Sequence, residues 1–351
     1  QFLAGEAGMK RLRIGLALAV VLVVAVWLGF RHYQETWLTA PLPGLQQPVV
    51  FELPAGASLA AVADSLHKAG WLDRPRIWVW YAKWAGDSTR IKAGEYLLQP
   101  GTTPAALLQQ FVTGSVLMHT LTIPEGWTFK QALAAIQANA AVTVEFRGLS
   151  QEEVMKRLGL PGRHPEGMFF PDTYRFPRGT TDRELLQQAQ ARLEDELASA
   201  WKKRKPALPL RTPYEALILA SLVEKETGEP DERPLIAGVF VNRLRIGMRL
   251  QTDPSVIYGL GESFDGDLRR RDLQADTPYN SYTRAGLPPT PITLVGRAAL
   301  EAAVRPAATE ALYFVATGNG DGRHLFATSL VAHNSNVARH IANLRSGHKV
   351  P

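Results

Sequence analysis

The sequence contains no cysteine, which excludes disulfide bonds, thiolate metal sites, iron–sulfur clusters and cysteine nucleophiles. Three other catalytic signatures are missing: the H-E-x-x-H zinc motif, the G-x-S-x-G serine elbow and the phosphate-binding G-x-x-x-x-G-K-[ST] loop. Charge of one sign is also not in large excess, since the net charge is +6 over 351 residues. This is weak evidence for nucleic acid and fits an anionic polymer or a membrane surface equally well.

One long apolar run lies near the N-terminus, from Ile14 to Phe30, without a charged residue. Its length predicts a transmembrane helix over residues 14–34 rather than a buried core helix. A cleaved signal peptide is the alternative, but the run ends without the small residues of a cleavage site. Basic residues place segment 9–13 in the cytoplasm and the rest of the chain beyond a bacterial inner membrane. Residues 1–8 are expected to be an extraneous leader.

Alternating strand and helix patterns predict a small α+β module after a Pro-rich linker. Val49–Leu53 and Ala93–Leu98 read as strands, and Ser58 and Thr103 are placed to cap helices. A helix through residues 77–81 carries aromatic side chains that we expect in the core. The overall fold class is α+β. The predicted boundaries are a linker at 35–46, the module at 47–123 and a mixed α+β domain at 124–351 with its core at 211–336.

The segment from Tyr214 to Gly228 predicts a buried helix, because it is apolar on every side between Ala216 and Val223. Glu224 continues one stripe of that helix and therefore ends a buried apolar face. A desolvated carboxyl favours its neutral form and can act as a general acid. The alternative is a surface or helix-end carboxylate paired with Lys225 or an arginine, and Glu226 is expected to be more solvated.

Three further acidic residues, Glu166, Asp172 and Asp253, occur in loop-like contexts rich in proline. Two opposed carboxylates would serve a glycoside hydrolase, but each of the three is also a common turn former. Arginines cluster at 243–249 and 269–271, where they are either solvated charge or ligands for substrate carboxylates or for phosphates of a membrane surface. The eight histidines have no spacing typical of a metal site, so no metal is expected.

The stretch Leu219–Gly228, LASLVEKETG, resembles the catalytic-helix motif of the YceG-like endolytic murein transglycosylases. Other stretches resemble the same family in the same order, so that the resemblance extends from Val49 to Asn336. These are EGMFFPDTY at 166–174, VNRL at 241–244, MRLQTDP at 248–254, YNSY at 279–282, GLPP at 286–289, YFV at 313–315 and GRHLF at 322–326.

The resemblance implies a single-pass bacterial inner-membrane enzyme with a LysM-like module at 47–123 before its catalytic domain. Such an enzyme cleaves nascent peptidoglycan strands internally and limits their length. The family's catalytic glutamate, the first of the V-E-K-E-T motif, corresponds to Glu224. Lys225 follows it, whereas a serine follows the glutamate of lysozyme-like lytic transglycosylases, so their subsite residues do not transfer to this chain.

The implied mechanism uses one protein carboxyl and no cofactor, because the C6 hydroxyl of the muramoyl sugar itself attacks C1. Peptidoglycan strands, the inner membrane and peptidoglycan synthases of the elongation or division machinery are the expected partners. Two alternatives remain open: a non-catalytic peptidoglycan-binding scaffold, and a hydrolytic muramidase with two carboxylates. The residues expected to position the glycan are Glu166, Gln251, Asp253, Asn280 and Tyr282.

Overall fold

A computed structural model describes residues 2–347, with the side chains of that range except residues 2–15, 17, 30, 346 and 347. The described chain is mixed α+β, as predicted, and its strands form three two-stranded sheets. It divides into two compact units, Gln1–His119 and Thr120–Pro351.

The N-terminal residues form one helix, α1 (Phe2–Thr39). Large apolar side chains between Leu16 and Leu28 are exposed along it. Within the described part of the chain, however, no helix combines the length and the apolarity that a membrane crossing requires. The structure therefore does not support the predicted span at 14–34. The side chains of residues 1–13, which include the predicted leader and cytoplasmic segment, lie outside the description.

The rest of the first unit is built from short helices and one antiparallel sheet. Ser58 and Thr103 accept hydrogen bonds from backbone N–H groups in the first turns of two helices, which confirms both predicted caps. In the sheet, Val49 pairs with Leu98 and Leu53 with Gly94. The elements are β1 (Val49–Leu53), α2 (Leu59–Lys68), α3 (Pro75–Trp84), β2 (Gly94–Leu98) and α4 (Pro104–Thr113).

Aromatic side chains fill the core of this unit. The Phe111 ring lies 4.6 Å from that of Tyr96 and 6.2 Å from that of Trp78, centroid to centroid. The buried Trp78 indole N–H donates to the carbonyl of Pro104 at 2.8 Å, so its polar atom is satisfied. The expectation that all aromatics of this helix are core residues is wrong for Trp80, which is half exposed.

The second unit contains most of the helices. Its apolar side chains form two clusters, one around Phe129 and Phe169 and one around α8. The elements are β3 (Met118–Thr122), α5 (Phe129–Ala138), α6 (Gln151–Arg157), β4 (Thr173–Pro177), α7 (Asp182–Lys202), α8 (Pro213–Glu226), α9 (Arg233–Arg245), α10 (Asp253–Leu260), a 3-10 turn (Gly261–Ser263), α11 (Arg270–Gln274), α12 (Arg297–Val304), β5 (Tyr313–Ala316), β6 (His324–Ala327) and α13 (Leu330–Gly347); β3 pairs with β4 and β5 with β6.

Helix α8 is the centre of the second unit and packs against α7, α9, α10 and α12. Every residue from Ala216 to Val223 is buried, which confirms the prediction from the all-round apolar sequence. Thr212 caps its start, with Pro213 in the first turn. Because neighbours enclose this helix on all sides, the residues at its C-terminal end have fixed surroundings.

Candidate active site

The side chain of Glu224 lies in the last turn of α8, where the buried apolar face ends, and only 5% of it is exposed. Its Oε2 accepts a hydrogen bond from the backbone N–H of Gly296 at 3.0 Å. Arg233 Nη2 lies 3.8 Å from Oε1. The carboxyl group is therefore held in place by a backbone donor on one oxygen and faces a cation on the other.

Burial raises the pKa of Glu224 above its ordinary value of 4.5, and the nearby charge of Glu125 acts in the same direction. The hydrogen bond from Gly296 and the charges of Arg233 and Lys225 oppose this shift. The negative end of the α8 macrodipole also disfavours an anion in the last turn. A carboxyl in these surroundings keeps its proton more readily than one in water and is suited to donate it.

The peptide segment that carries Gly296 is tied to the loop before α5. Leu294 N–H donates to the carbonyl of Trp127 at 2.7 Å, and Gly126 N–H donates back to the carbonyl of Leu294 at 3.0 Å. The Thr293 hydroxyl donates to the same Trp127 carbonyl at 2.8 Å. These bonds place the loop next to the segment that binds Glu224, although the two are far apart in sequence.

The second carboxyl group of the motif, Glu226, has a separate partner. The Thr252 hydroxyl donates to its Oε1, and Thr252 N–H donates in turn to the Ser281 hydroxyl at 2.9 Å. Burial raises the pKa of Glu226 to about 7, against the effect of the Thr252 hydrogen bond. The expectation that Glu226 is well solvated is therefore wrong: the side chain bridges α8 to the segment before α10.

Asp253 and Tyr282, two of the predicted glycan-binding residues, lie together. The Tyr282 hydroxyl donates to Asp253 Oδ1 at 2.5 Å, and Asp253 is exposed at the start of α10. Gln251 is also exposed and has a positive φ of 49°, while its N–H donates to the carbonyl of Ser281 at 3.1 Å. All three belong to the network of Thr252 and Ser281 and retain atoms that can reach solvent.

Asn280 does not fit its predicted role as a glycan ligand. It is fully buried, and its side-chain amide donates to the carbonyls of Asp272, Leu273 and Ala275. Its Oδ1 accepts from the N–H of Tyr282 at 2.9 Å. Because donors and acceptor are all used by the backbone, Asn280 shapes the loop that carries Tyr282 and has no polar atom left for substrate.

Glu166 likewise differs from its prediction, since it is buried with only 4% of its surface exposed. Its Oε1 accepts from the N–H of Phe129 at the start of α5, at 2.9 Å, and the Tyr258 hydroxyl also donates to it. Burial raises the pKa of Glu166 to about 7, although these hydrogen bonds lower it. Glu166 thus joins α5 to α10 from the interior and has a structural role.

The remaining candidates have structural partners. Asp172 is exposed, and its Oδ1 accepts from the N–H of Thr173 at 2.7 Å, which agrees with a turn former. Arg243 is buried and donates to the carbonyls of Leu250 and Leu312, both at 2.6 Å. The interpretation of Arg243 as solvated charge or substrate ligand is therefore wrong.

Comparison with known proteins identifies the family of this chain. A family model described as YceG-like matches residues 51–339. The chain belongs to the YceG-like family. It is 32% identical over 312 residues to an endolytic murein transglycosylase of Bacillus subtilis, covering 84% of this chain and 85% of that protein. It is 31% identical over 359 aligned residues to one of Streptococcus pneumoniae, covering 93% of this chain but 64% of that protein.

A crystal structure of a yceG-like protein from Listeria monocytogenes is 30% identical in sequence. The match covers 82% of this chain and 99% of that one, with a TM-score of 0.51. The YceG-like resemblance stated from the sequence motifs is thus confirmed.

For this YceG-like chain, the described residues include no group of three or more histidine, aspartate or glutamate side chains that could hold a metal ion. Sequence reasoning missed three groups next to Glu224: Gly296, Arg233 and Glu125. Glu125 belongs to a Pro-Glu-Gly turn that is visible in the sequence. Nothing in the sequence, however, links that turn to a helix about a hundred residues later.

Proposed function

We propose that this YceG-like protein is an endolytic lytic transglycosylase of peptidoglycan. It would cleave the β-1,4 bond between N-acetylmuramic acid and N-acetylglucosamine within glycan strands. The observation that carries the proposal is the carboxyl of Glu224, which is buried, protonation-prone and held by the Gly296 N–H. The relatives from Bacillus subtilis and Streptococcus pneumoniae, which are named endolytic murein transglycosylases, support the same activity.

In the proposed reaction, Glu224 gives its proton to the bridging oxygen as the bond to C1 of the muramoyl sugar breaks. The resulting carboxylate then takes the proton of the C6 hydroxyl, whose oxygen bonds to C1 and closes a 1,6-anhydro ring. One residue serves as acid and then as base, so its proton is restored at the end of the cycle. Exposed Asp253 and Gln251, with Tyr282, would orient the strand by hydrogen bonds.

Mass spectrometry of the products from purified glycan strands tests this proposal. We expect 1,6-anhydro ends, which are lighter than reducing ends by one water. A non-catalytic scaffold would bind strands without cutting them, and that outcome would reject the enzymatic proposal. The intact chain and Glu224→Gln should be compared on the same strands. Cleavage that remains in the Glu224→Gln preparation would come from a contaminating hydrolase.

One observation favours a second candidate, a hydrolytic muramidase with two carboxylates. The carboxyl of Glu125 lies beside Gly296, the residue that binds Glu224, and retaining or inverting hydrolases use such a pair. Reducing ends in the product analysis would establish this candidate in place of the first.

The predicted module at 47–123 is proposed to be LysM-like and to hold glycan strands. Its small α+β fold and separate core support this role. Peptidoglycan synthases are proposed as partners on the ground that nascent strands are the substrate. A pull-down of strands by residues 40–119, compared with the intact chain, tests the module, and absence of binding by both would reject it.

We further propose that the chain is attached to a membrane through residues 14–34. This proposal rests on the uncharged sequence run. The exposed apolar side chains between Leu16 and Leu28 are in keeping with it. Fractionation of cells that express the full chain, followed by alkaline extraction, is the test. Recovery of the full chain in the extract rather than the pellet would reject attachment.

A further inference from the structure

Glu125 is an exposed carboxylate in the turn between β3 and α5, and neither the motif analysis nor the proposed reaction uses it. The turn is fastened by the paired hydrogen bonds between Gly126, Trp127 and Leu294. Lys225, the residue after Glu224, also donates to the carbonyl of Gly126 at 3.4 Å. The two residues that follow Glu125 are therefore bonded to the segment before Gly296 and to the last turn of α8.

Gly296 brings the two carboxyl groups together. Its N–H binds Glu224 Oε2 at 3.0 Å, and a Cβ atom added to it would overlap the carboxyl group of Glu125. The φ of Gly296 is −78°, an ordinary value for any residue. Glycine is thus required here for space rather than for backbone conformation, and the space is taken by Glu125.

Three charged neighbours and one backbone N–H among the described residues act on Glu224. Arg233 and Lys225 favour its ionised form, as does the Gly296 N–H, whereas Glu125 is the one negative neighbour among these. Without Glu125, the balance around Glu224 would shift towards the carboxylate, which cannot donate a proton.

We propose that Glu125 is a positioning residue of this active site, whose carboxylate keeps the neighbouring Glu224 protonated until the glycosidic oxygen arrives. The inference rests on the proposed function, in which Glu224 is first an acid. Repulsion between the two carboxylates also serves the second half of the reaction, because it makes the Glu224 carboxylate a stronger base towards the C6 hydroxyl. Glu125 itself exchanges no proton with the substrate.

Glu125→Gln tests the inference, since it removes the charge and keeps the size of the side chain. In the full chain, we expect the alkaline limb of the pH–rate profile to move to lower pH. The rate should fall by roughly tenfold on the alkaline limb and by much less on the acid side, because the fraction of protonated Glu224 changes most on the alkaline limb. Glu310→Gln, at an exposed glutamate in the loop before β5, is the matched control and should keep the wild-type profile.

Gly296→Ala is a second way to remove the Glu125 charge from the neighbourhood of Glu224. The new methyl group displaces the Glu125 carboxyl, while the Gly296 N–H that binds Glu224 remains. Its profile should shift in the same direction, and combining it with Glu125→Gln should add little, since both remove one interaction. An equal loss of rate at every pH, as deep as in Glu224→Gln, would make Glu125 a catalytic carboxylate and overturn the inference. An unshifted profile in Glu125→Gln would overturn it as well.

Carboxyl-carbon NMR of protein labelled at glutamate separates this inference from the proposed function. The Glu224 signal, assigned by its loss in Glu224→Gln, should titrate at lower pH in Glu125→Gln than in the wild type. If no variant cleaves glycan but this midpoint moves, the proposed function fails and the relation between the two carboxyl groups stands. If the midpoint does not move, the inference fails whatever the enzyme does.

Discussion

Glu224 and Glu166 are both buried carboxyl groups whose pKa is raised by burial, yet their surroundings differ in kind. Glu166 accepts the first N–H of α5 and a tyrosine hydroxyl from α10, so its partners come from the protein interior. Glu224 lies at the opposite type of helix end, where the dipole disfavours an anion. Its neighbours include the exposed carboxylate of Glu125.

The comparison shows that a raised pKa alone does not identify the acid of an enzyme. Glu166 has a pKa of about 7, which is well placed for proton transfer near neutral pH, but its hydrogen bonds tie together two helices. Glu224 combines the shift with a single backbone donor and with charged neighbours of both signs. Because the two side chains are buried to a similar extent, their partners, rather than burial, distinguish the candidate catalytic group from the structural one.

The largest expected effect is that of Glu224→Gln, which keeps the size of the side chain but removes the transferable proton. Cleavage of glycan strands should fall by about 10²–10⁴-fold, the usual value of general acid–base catalysis. The melting temperature should stay within a few degrees of the wild type. Activity within about tenfold of the wild type, in a folded variant, would contradict the role given to Glu224.

An intermediate effect is expected for Asp253→Asn, because Asp253 would orient the strand and exchange no proton with it. Activity should drop by up to about a hundredfold, and the surviving product should keep its 1,6-anhydro end. Tyr282→Phe removes the same hydrogen bond from the other side and is the matched comparison. If Asp253→Asn is as inactive as Glu224→Gln while it still binds glycan, the single-acid mechanism is wrong.

The smallest effect on activity is expected for Glu166→Gln, which should instead change how stability depends on pH. The folded pKa of about 7 exceeds the ordinary value of 4.5, so the protonated side chain favours the folded state. That contribution is complete below about pH 4 and is lost as the pH rises through about 7. Between these limits the wild type should lose on the order of 3 kcal/mol of unfolding free energy from this group.

Urea denaturation of the wild type and Glu166→Gln at several pH values measures this difference. The glutamine amide cannot titrate, so the unfolding free energy of the variant should depend less steeply on pH. Its stability relative to the wild type should therefore improve from pH 5 to pH 8. Glu310→Gln should keep the wild-type slope. Parallel curves for the wild type and Glu166→Gln would show that Glu166 is not the buried carboxyl described here.

Local sequence rules identified the elements whose signals lie within one segment. The all-round apolar stretch of α8 and the capping residues of α2 and α4 occur where predicted. The family resemblance was equally readable, because several short motifs follow one another in order. The predicted membrane helix at 14–34 is the local expectation that the structure does not support.

The errors concern side chains whose polar atoms form hydrogen bonds with other elements of the fold. Asn280 was expected to contact glycan, but three backbone carbonyls use its amide. Glu226 was expected to be solvated, but Thr252, on another segment, binds it. A motif shows which residue types recur together, and it does not show whether their polar atoms are already satisfied by the fold.

The sequence by itself determined that α8 is a buried helix with a carboxyl at its end, because periodicity and apolar content act over neighbouring residues. It also placed the chain in the YceG-like family by its motifs. Only the tertiary structure decided which carboxyl groups are structural and that Glu125 lies beside Glu224. The physical reason is that burial, hydrogen-bond partners and the repulsion between two charges depend on distances in space, and these are set by the packing of segments remote in sequence.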